Sequence, residues 1–247
     1  MSEGVLDPEL FGEEPARDER FRVVTRWIDC NNLPQDHPEK EREFFHRQLN
    51  EEINGLENSA RCLTDFPDAD WELRMCIARQ CADEARHIEM FRQMVEARGG
   101  TIGQYPVMNF QYTIINRIET LIGRLAVQNR SFEAEGIDAI QFGIDEARAK
   151  GQNDIVEFFE AQLADEITHV RYSNEWIRKL VRANPRGFLD MARALTTSSK
   201  AFSQVMGNDG MAVRYGVDAA ARVEAGFDAD EVKAAVDHAN ASRGPRP

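Results

Sequence analysis

The sequence predicts an all-α protein built on an antiparallel bundle of four helices. Between Glu39 and Lys179 the apolar residues recur at steps of three and four, the spacing of an amphipathic helix, and not at the step of two that marks a strand. Only Pro67 and Pro106 interrupt this stretch, in which residues of high helix propensity dominate. Because amphipathic helices joined by short loops bury their apolar faces against each other, a helix bundle is the expected fold.

Capping and helix-ending residues delimit the predicted helices. Asp68 and Asp70 are alternative N-caps of the second helix, and Gly136 and Gly151 are expected to end the third helix and a short helix after it. The predicted helices span about 39–63, 69 or 71 to 98, 108–135, 138–150 and 153–182. The first three of these helices and the helix over 153–182 form the bundle, and the short helix over 138–150 is an addition to it.

Prolines divide the chain into three predicted regions. Residues 1–38 contain four prolines, which interrupt any long helix, and form an N-terminal arm in which 21–24 is either a strand or a packed extended segment. Residues 39–182 form the four-helix bundle, and residues 183–247 form a C-terminal helical extension. The extra C-terminal helices are expected over about 187–206 and 211–240.

Charge and composition argue against several classes of partner. A formal net charge of −13 repels nucleic-acid phosphates and anionic lipids, so we expect no nucleic acid and no membrane as partner. The acidic N-terminus lacks a secretory signal, and no apolar run approaches the roughly 18 residues of a membrane span. None of the four cysteines forms a C-x-x-C pair. We therefore expect a cytoplasmic protein with buried, reduced thiols.

A repeated polar segment carries the strongest functional signal. Residues 80–87, Gln-Cys-Ala-Asp-Glu-Ala-Arg-His, correspond to residues 162–169, Gln-Leu-Ala-Asp-Glu-Ile-Thr-His, with five of eight positions identical. In each copy the Glu and the His are three residues apart and project from one face of the helix, which is also its core-facing side. An ionised glutamate there is unfavourable unless it is paired or binds a metal.

The first and third helices supply the remaining candidate ligands. Glu52 lies in the apolar stripe of the first helix, and Glu133 lies at the edge of the stripe of the third. Glu52 and Glu84 are 32 residues apart, and Glu133 and Glu166 are 33 apart, so each half of the chain offers one Glu and one Glu-x-x-His. Glu51 is adjacent to Glu52, and the ligand from the first helix is either of the two.

The candidate ligands form a set typical of a dinuclear metal site. Four carboxylates carry a formal charge of −4, which two divalent cations neutralise. A set rich in oxygen and free of thiolate suits iron or manganese better than structural zinc. The expected ligands are Glu52, Glu84, His87, Glu133, Glu166 and His169.

Four further polar residues flank these ligands. Asp83 and Asp165 precede the ligand glutamates and are expected either to orient a ligand histidine through its second ring nitrogen, or to be solvated or form a helix-to-helix salt bridge. Gln80 and Gln162 lie one turn before the same glutamates and either line the pocket or bridge helices.

These segments resemble the ferritin-like diiron-carboxylate superfamily, in which two helices each give a Glu and two each give a Glu-x-x-His. The resemblance covers about residues 39–179, and within the superfamily the chain is similar to a bacterial branch. The stretches that carry it are residues 83–87, 129–138, 165–170 and 221–227. The resemblance implies a ferritin-like antiparallel bundle, a bridged centre of two iron ions (Fe2+/Fe3+, with manganese as the alternative), and dioxygen or peroxide chemistry.

The function expected on this basis is that of an oxidase or monooxygenase. Dioxygen would oxidise a small organic substrate, and an electron donor would be needed. The arm and the C-terminal helices favour a covered pocket and a monomer or homodimer over an open cage. Iron storage or peroxide scavenging is the main alternative, since the acidic charge suits cations, although no Cys-rich rubredoxin-like module is present. RNA hydroxylation, which the charge disfavours, and a metal-stabilised interaction protein are the others.

Overall fold

The computed structural model describes residues 18–30, 33–206 and 216–242, and helices dominate these ranges. The helices are α1 Trp27–Cys30, α2 Lys40–Asp65, α3 Trp71–Ala97, α4 Phe110–Asn116, α5 Leu121–Val127, a π-helix Gln128–Glu133, α6 Ala134–Lys150, α7 Asn153–Ala183, α8 Gly187–Met206, α9 Ala219–Glu224 and α10 Ala229–Ser242. Within the described ranges, bridge pairing of extended backbone is limited to Val23 and Val107. The prediction of an all-α chain is confirmed.

The described part of the predicted arm packs as an extended segment. Val24 N donates to Val107 O at 2.8 Å, and Val107 N donates to Arg22 O at 3.0 Å. Gly103 has a φ of +85°, and a Cβ there would lie 2.4 Å from Arg20 O, so only glycine permits this approach. Residues 1–17 of the predicted arm lie outside the described residues.

The chain divides into two compact units, each with its own helix pair. Among the described residues, the first unit comprises 18–30, 33–121 and 194–206, and the second comprises 122–193 and 216–242. In the first unit α2 packs along α3, and in the second α6 packs along α7. The predicted division into arm, bundle and C-terminal extension stays a prediction.

The hairpin of α2 and α3 is held by a capped turn and an apolar core. Asp70 is the N-cap of α3, and its side chain accepts a hydrogen bond from Glu72 N at 3.0 Å, which decides between the two predicted caps. Helix α2 ends at Asp65, ahead of Pro67, as predicted. The fully buried side chains of the pair include Phe45, Leu49, Leu73, Phe91 and Val95.

The prediction of one continuous third helix over about 108–135 is wrong in two respects. It is interrupted at residues 117–120, between α4 and α5. The β-branched run 113–115 has low helix propensity, and Asn116 Nδ2 donates to Tyr112 O at 2.8 Å, which competes with the helical backbone. The helix also does not end at Gly136 but continues to Lys150, and Gly151 with a φ of +70° then ends it as predicted.

The C-terminal segment packs against the helix pair of the second unit. Asp138, buried on α6, pairs with Arg222 Nη2 at 2.6 Å, and Asp218 caps α9. Asn174 Nδ2 on α7 donates to Ala225 O at 2.8 Å. The apolar cluster beneath comprises Ala134, Ile137, Ile167, Val170, Ala221 and Ala225. The predicted helix over 187–206 is confirmed, whereas the one over 211–240 consists of α9 and α10, with its start outside the described residues.

Candidate metal centre

The first unit brings three of the predicted ligands together in its interior. Glu52 comes from α2, and Glu84 and His87 come from adjacent turns of α3; all three side chains are buried. Their ligand atoms lie within 4.8 Å of one another. His87 Nδ1 is 3.1 Å from Glu52 Oε2 and 3.6 Å from Glu84 Oε2. This buried Glu/His group could hold a metal ion, and it includes Glu52 rather than Glu51.

A glutamine on the same helix fixes the Glu84 carboxylate. Gln80 Nε2 donates to Glu84 Oε1 at 3.0 Å, the i to i+4 relation of neighbouring helical turns. Gln80 itself is 1% exposed, so this hydrogen bond lies in the protein interior. A hydrogen bond is stronger there than in water because the dielectric constant is lower. Gln80 thus contacts one predicted ligand on its own helix, and its role at a metal stays a prediction.

The second unit brings together the other three predicted ligands. Glu166 and His169 lie on α7 and are buried, and Glu133 is half-buried at the end of the π-helix. His169 Nδ1 is 3.5 Å from Glu166 Oε2. The ligand atoms of Glu133 and His169 lie within 4.8 Å of one another. The second unit therefore repeats the donor types of the first.

The π-helix gives Glu133 two polar neighbours. Asn129 Nδ2 donates to Glu133 Oε2 at 2.7 Å, and Gln128 Nε2 donates to Glu133 Oε1 at 3.4 Å. Gln128 and Glu133 are five residues apart, which is the spacing of the backbone hydrogen bond in a π-helix. Widened turns of this kind occur often at functional sites. Here the widened turn lets both oxygens of one carboxylate accept hydrogen bonds from its own helix.

The C-terminal segment holds this π-helix from outside. Arg130 forms a hydrogen bond with the Asn174 side chain and an ion pair with Glu231 of α10. Its guanidinium also lies 4.6 Å from the centre of the Phe227 ring. Arg178 Nη2 donates to the backbone of the same segment. We call these contacts of Arg130 with Asn174, Phe227 and Glu231 the C-terminal clamp.

The structure also locates the other polar residues that flank the predicted ligands. Asp83 is buried and pairs with Arg86 Nη1 at 3.2 Å and Arg79 Nε at 3.7 Å, both on its own helix, and the role predicted for it beside a ligand histidine stays a prediction. Asp165 is half-buried on α7. Gln162 is buried one turn before Glu166. The roles of Asp165 and Gln162 stay predictions.

Histidines and cysteines outside the repeat have other environments. His46 is fully buried, and its Nε2 accepts a hydrogen bond from Gly103 N at 2.8 Å. Burial lowers the pKa of His46 to about 4, so this imidazole is neutral at physiological pH. The four cysteines form no disulfide; Cys30 is buried, and this burial raises the pKa of its thiol to about 12. Of the four thiols predicted to be buried, two, Cys76 and Cys81, are half-buried.

Two residues at the ligand groups were not assigned from the sequence. Asn129 lies four residues before Glu133, a pairing that helix geometry favours. Gly55 lies against the Glu84 carboxylate. A second repeat in the sequence could have indicated Gly55, because Glu52 and Glu133 are each followed three residues later by a glycine, Gly55 and Gly136.

The fold and these residues define a class: an all-helical protein whose buried Glu/His groups could hold metal ions. In the described ranges, no helix combines the length and the apolarity that crossing a membrane requires.

The family model described as "Protein of unknown function (DUF455)" matches residues 3–233, nearly the whole chain. The protein therefore belongs to the DUF455 family. No curated protein and no solved structure matches it.

Proposed function

We propose that this protein is a ferritin-like, diiron-carboxylate oxidase or monooxygenase that uses dioxygen to oxidise a small organic substrate. One observation carries the proposal: Glu52, Glu84 and His87 converge in the first unit, and the same donor types recur in the second. Glu52, Glu84 and His87 would hold one ion, and Glu133, Glu166 and His169 would hold the other.

The donor chemistry supports iron, with manganese as the alternative. Carboxylate oxygens and imidazole nitrogens without thiolate are donors that both metals accept. Burying Glu52 and Glu84 within 4.8 Å of the same imidazole gathers negative charge in a region of low dielectric. A divalent cation compensates that charge directly. The cation would thus stabilise the folded state as well as supply reactivity.

Two iron ions would supply the electrons that reduce dioxygen, with Fe2+ restored by an external electron donor. The chain's own residues would fix the ligands and keep bulk water away from them. Gln80 holds the carboxylate of Glu84, and Asn129 holds that of Glu133. Outer hydrogen bonds of this kind set the orientation and the basicity of metal ligands.

Iron handling, including storage or peroxide scavenging, is the second candidate. The net charge of −13 favours it, because an acidic surface concentrates cations. The two candidates differ in assembly: we propose a cytoplasmic monomer or homodimer, whereas storage needs a closed particle of roughly a dozen or more subunits. Light scattering of purified protein separates these outcomes.

Anaerobic loading with Fe2+ followed by addition of oxygen tests the function. We expect about two iron ions per chain by elemental analysis. Mössbauer spectra after oxygen addition should show a discrete, coupled diferric species that reductant returns to the ferrous state. A stoichiometry of one or fewer in folded protein would reject the dinuclear site. Rapid growth of a ferric mineral would instead favour storage.

A further inference from the structure

The interior of α2 contains a glycine where helices usually avoid one. Gly55 is buried and lies one turn after Glu52. Glycine in a helix interior is destabilising relative to alanine, because it loses more conformational freedom on folding. A Cβ at this position would lie 3.0 Å from Glu84 Cδ, 3.1 Å from Oε1 and 3.2 Å from Oε2. Carbon atoms in contact prefer about 3.5–4.0 Å, so the carboxylate occupies the space of the missing side chain.

The Glu84 carboxylate is held in that space from two sides. Gln80 Nε2 donates to Oε1 at 3.0 Å, and Oε2 lies 3.6 Å from His87 Nδ1. Glu84 is 3% exposed and has a packed interior around it. A methyl group at Gly55 would therefore have to push the carboxylate away from the position in which both contacts form.

The second unit supplies a matched position with a different environment. Gly136 follows Glu133 by three residues, as Gly55 follows Glu52, and it also lies inside a helix. A Cβ at Gly136 would meet nothing within 4 Å. The closeness to a ligand carboxylate is thus specific to Gly55. A general effect of glycine on helix stability would appear at both positions.

We propose that Gly55 is a positioning residue that lets Glu84 reach the position where Glu52, Glu84 and His87 bind one metal ion. This inference rests on the proposed metal-binding function. Gly55 touches the carboxylate from the side of α2 and sets how closely Glu84 can approach Glu52. Substituting a larger residue displaces one ligand without removing any donor atom.

Gly55→Ala tests the proposal against the control Gly136→Ala. We expect Gly55→Ala to bind Fe2+ or Mn2+ about 10–100-fold more weakly in anaerobic titrations, the range found when support of a ligand is lost. Its metal-bound optical or electron paramagnetic resonance spectrum should also change. Gly136→Ala should keep both the affinity and the spectrum. Thermal melting and circular dichroism of the metal-free variants establish that both are folded.

A double-mutant cycle with Glu84→Asp identifies the contact responsible. Aspartate is one methylene shorter, so its carboxylate no longer reaches the space beside Gly55. Adding Gly55→Ala to Glu84→Asp should then cost less than threefold in affinity, far below its effect on the wild type. Equal losses in the two backgrounds would overturn the proposal, as would a folded Gly55→Ala with wild-type affinity. If the wild type binds no metal, the proposed function fails and this inference fails with it; if the wild type binds and Gly55→Ala binds equally, only the positioning role fails.

Discussion

The two Glu/His groups have the same donors but different mechanical support. In the first unit Glu52, Glu84 and His87 project from two long, regular helices that pack along their length. In the second unit Glu133 lies at the end of a π-helix that is held by the C-terminal clamp. The first group is therefore supported by the two helices that carry it. The second group also depends on a segment far away in the chain.

The largest expected effect is the loss of one metal ion when the histidine of either group is replaced. His87→Ala should abolish binding in the first group, and His169→Ala should do so in the second, so each variant should hold about one metal ion instead of about two. Elemental analysis after anaerobic loading measures this. His238→Ala, in α10, is the control and should keep both ions. Full occupancy in His87→Ala would contradict the assignment of the first group.

Removing buried negative charge should stabilise the metal-free protein. Glu84→Gln with Glu166→Gln takes one charge from each group, while glutamine retains an oxygen that can accept the hydrogen bond from Gln80. We expect the metal-free double variant to gain about 1–3 kcal/mol, since gathering buried charges of one sign is unfavourable by about that much. Its melting temperature should rise by about 2–4 °C per kcal/mol, and metal binding should be lost. A lower melting temperature without metal would mean that other groups compensate these carboxylates.

Weakening the C-terminal clamp should affect the second group alone. Glu231→Gln removes the charge that pairs with Arg130, and Arg130 belongs to the same π-helix as Glu133. We expect one of the two metal ions to bind about 10-fold more weakly. Asp237→Asn breaks the exposed pair with Lys233 on the same helix and is the matched control. If Glu231→Gln and Asp237→Asn have equal affinities for both ions, the clamp does not support the site.

The prediction with the smallest effect on metal binding concerns how the stability of the first unit depends on pH. Burial lowers the pKa of His46 to about 4 from the ordinary value of 6.5, so the unfolded chain binds more protons between these pH values. The stability from the neutral imidazole is present above pH 6.5 and is lost as the pH falls toward 4, by on the order of 2 kcal/mol.

His46→Gln tests this without disturbing the ligands. Glutamine keeps an acceptor for Gly103 N–H but does not titrate. Thermal melts between pH 4 and 6.5 should therefore depend less on pH in His46→Gln than in the wild type. Metal stoichiometry at neutral pH should stay at the wild-type value. An unchanged slope of stability against pH would show that other groups cause the acid sensitivity.

The sequence was most informative where one pattern appeared twice. The repeat at 80–87 and 162–169 predicted which polar side chains are buried, because Gln, Glu and His at core-facing positions have no other common explanation. The spacing of Glu52 and Glu133 extended the pattern to other helices. These features depend on helix periodicity within short segments, which can be derived from residue order alone.

Features that depend on tertiary packing could not be predicted in the same way. The interruption at 117–120 and the π-helix lie in a stretch whose apolar period looks continuous. Gly136 resembles a helix end by residue type, yet the helix continues because α6 is buried against α7 and the C-terminal segment. The contact of Gly55 with Glu84 joins two helices and requires their relative placement, which periodicity does not provide.

The two charged residues of the C-terminal clamp are synthesised at different times, so the two Glu/His groups obtain their support in sequence. Arg130 and Glu231 are 101 residues apart in the chain. At a synthesis rate of about 5–20 residues per second, Glu231 is added roughly 5–20 s after Arg130. The helices of the first group leave the ribosome before either residue of this pair. During biosynthesis, the first group can thus form on the ribosome before Arg130 is added, whereas the second obtains its full support only after Glu231 has been added.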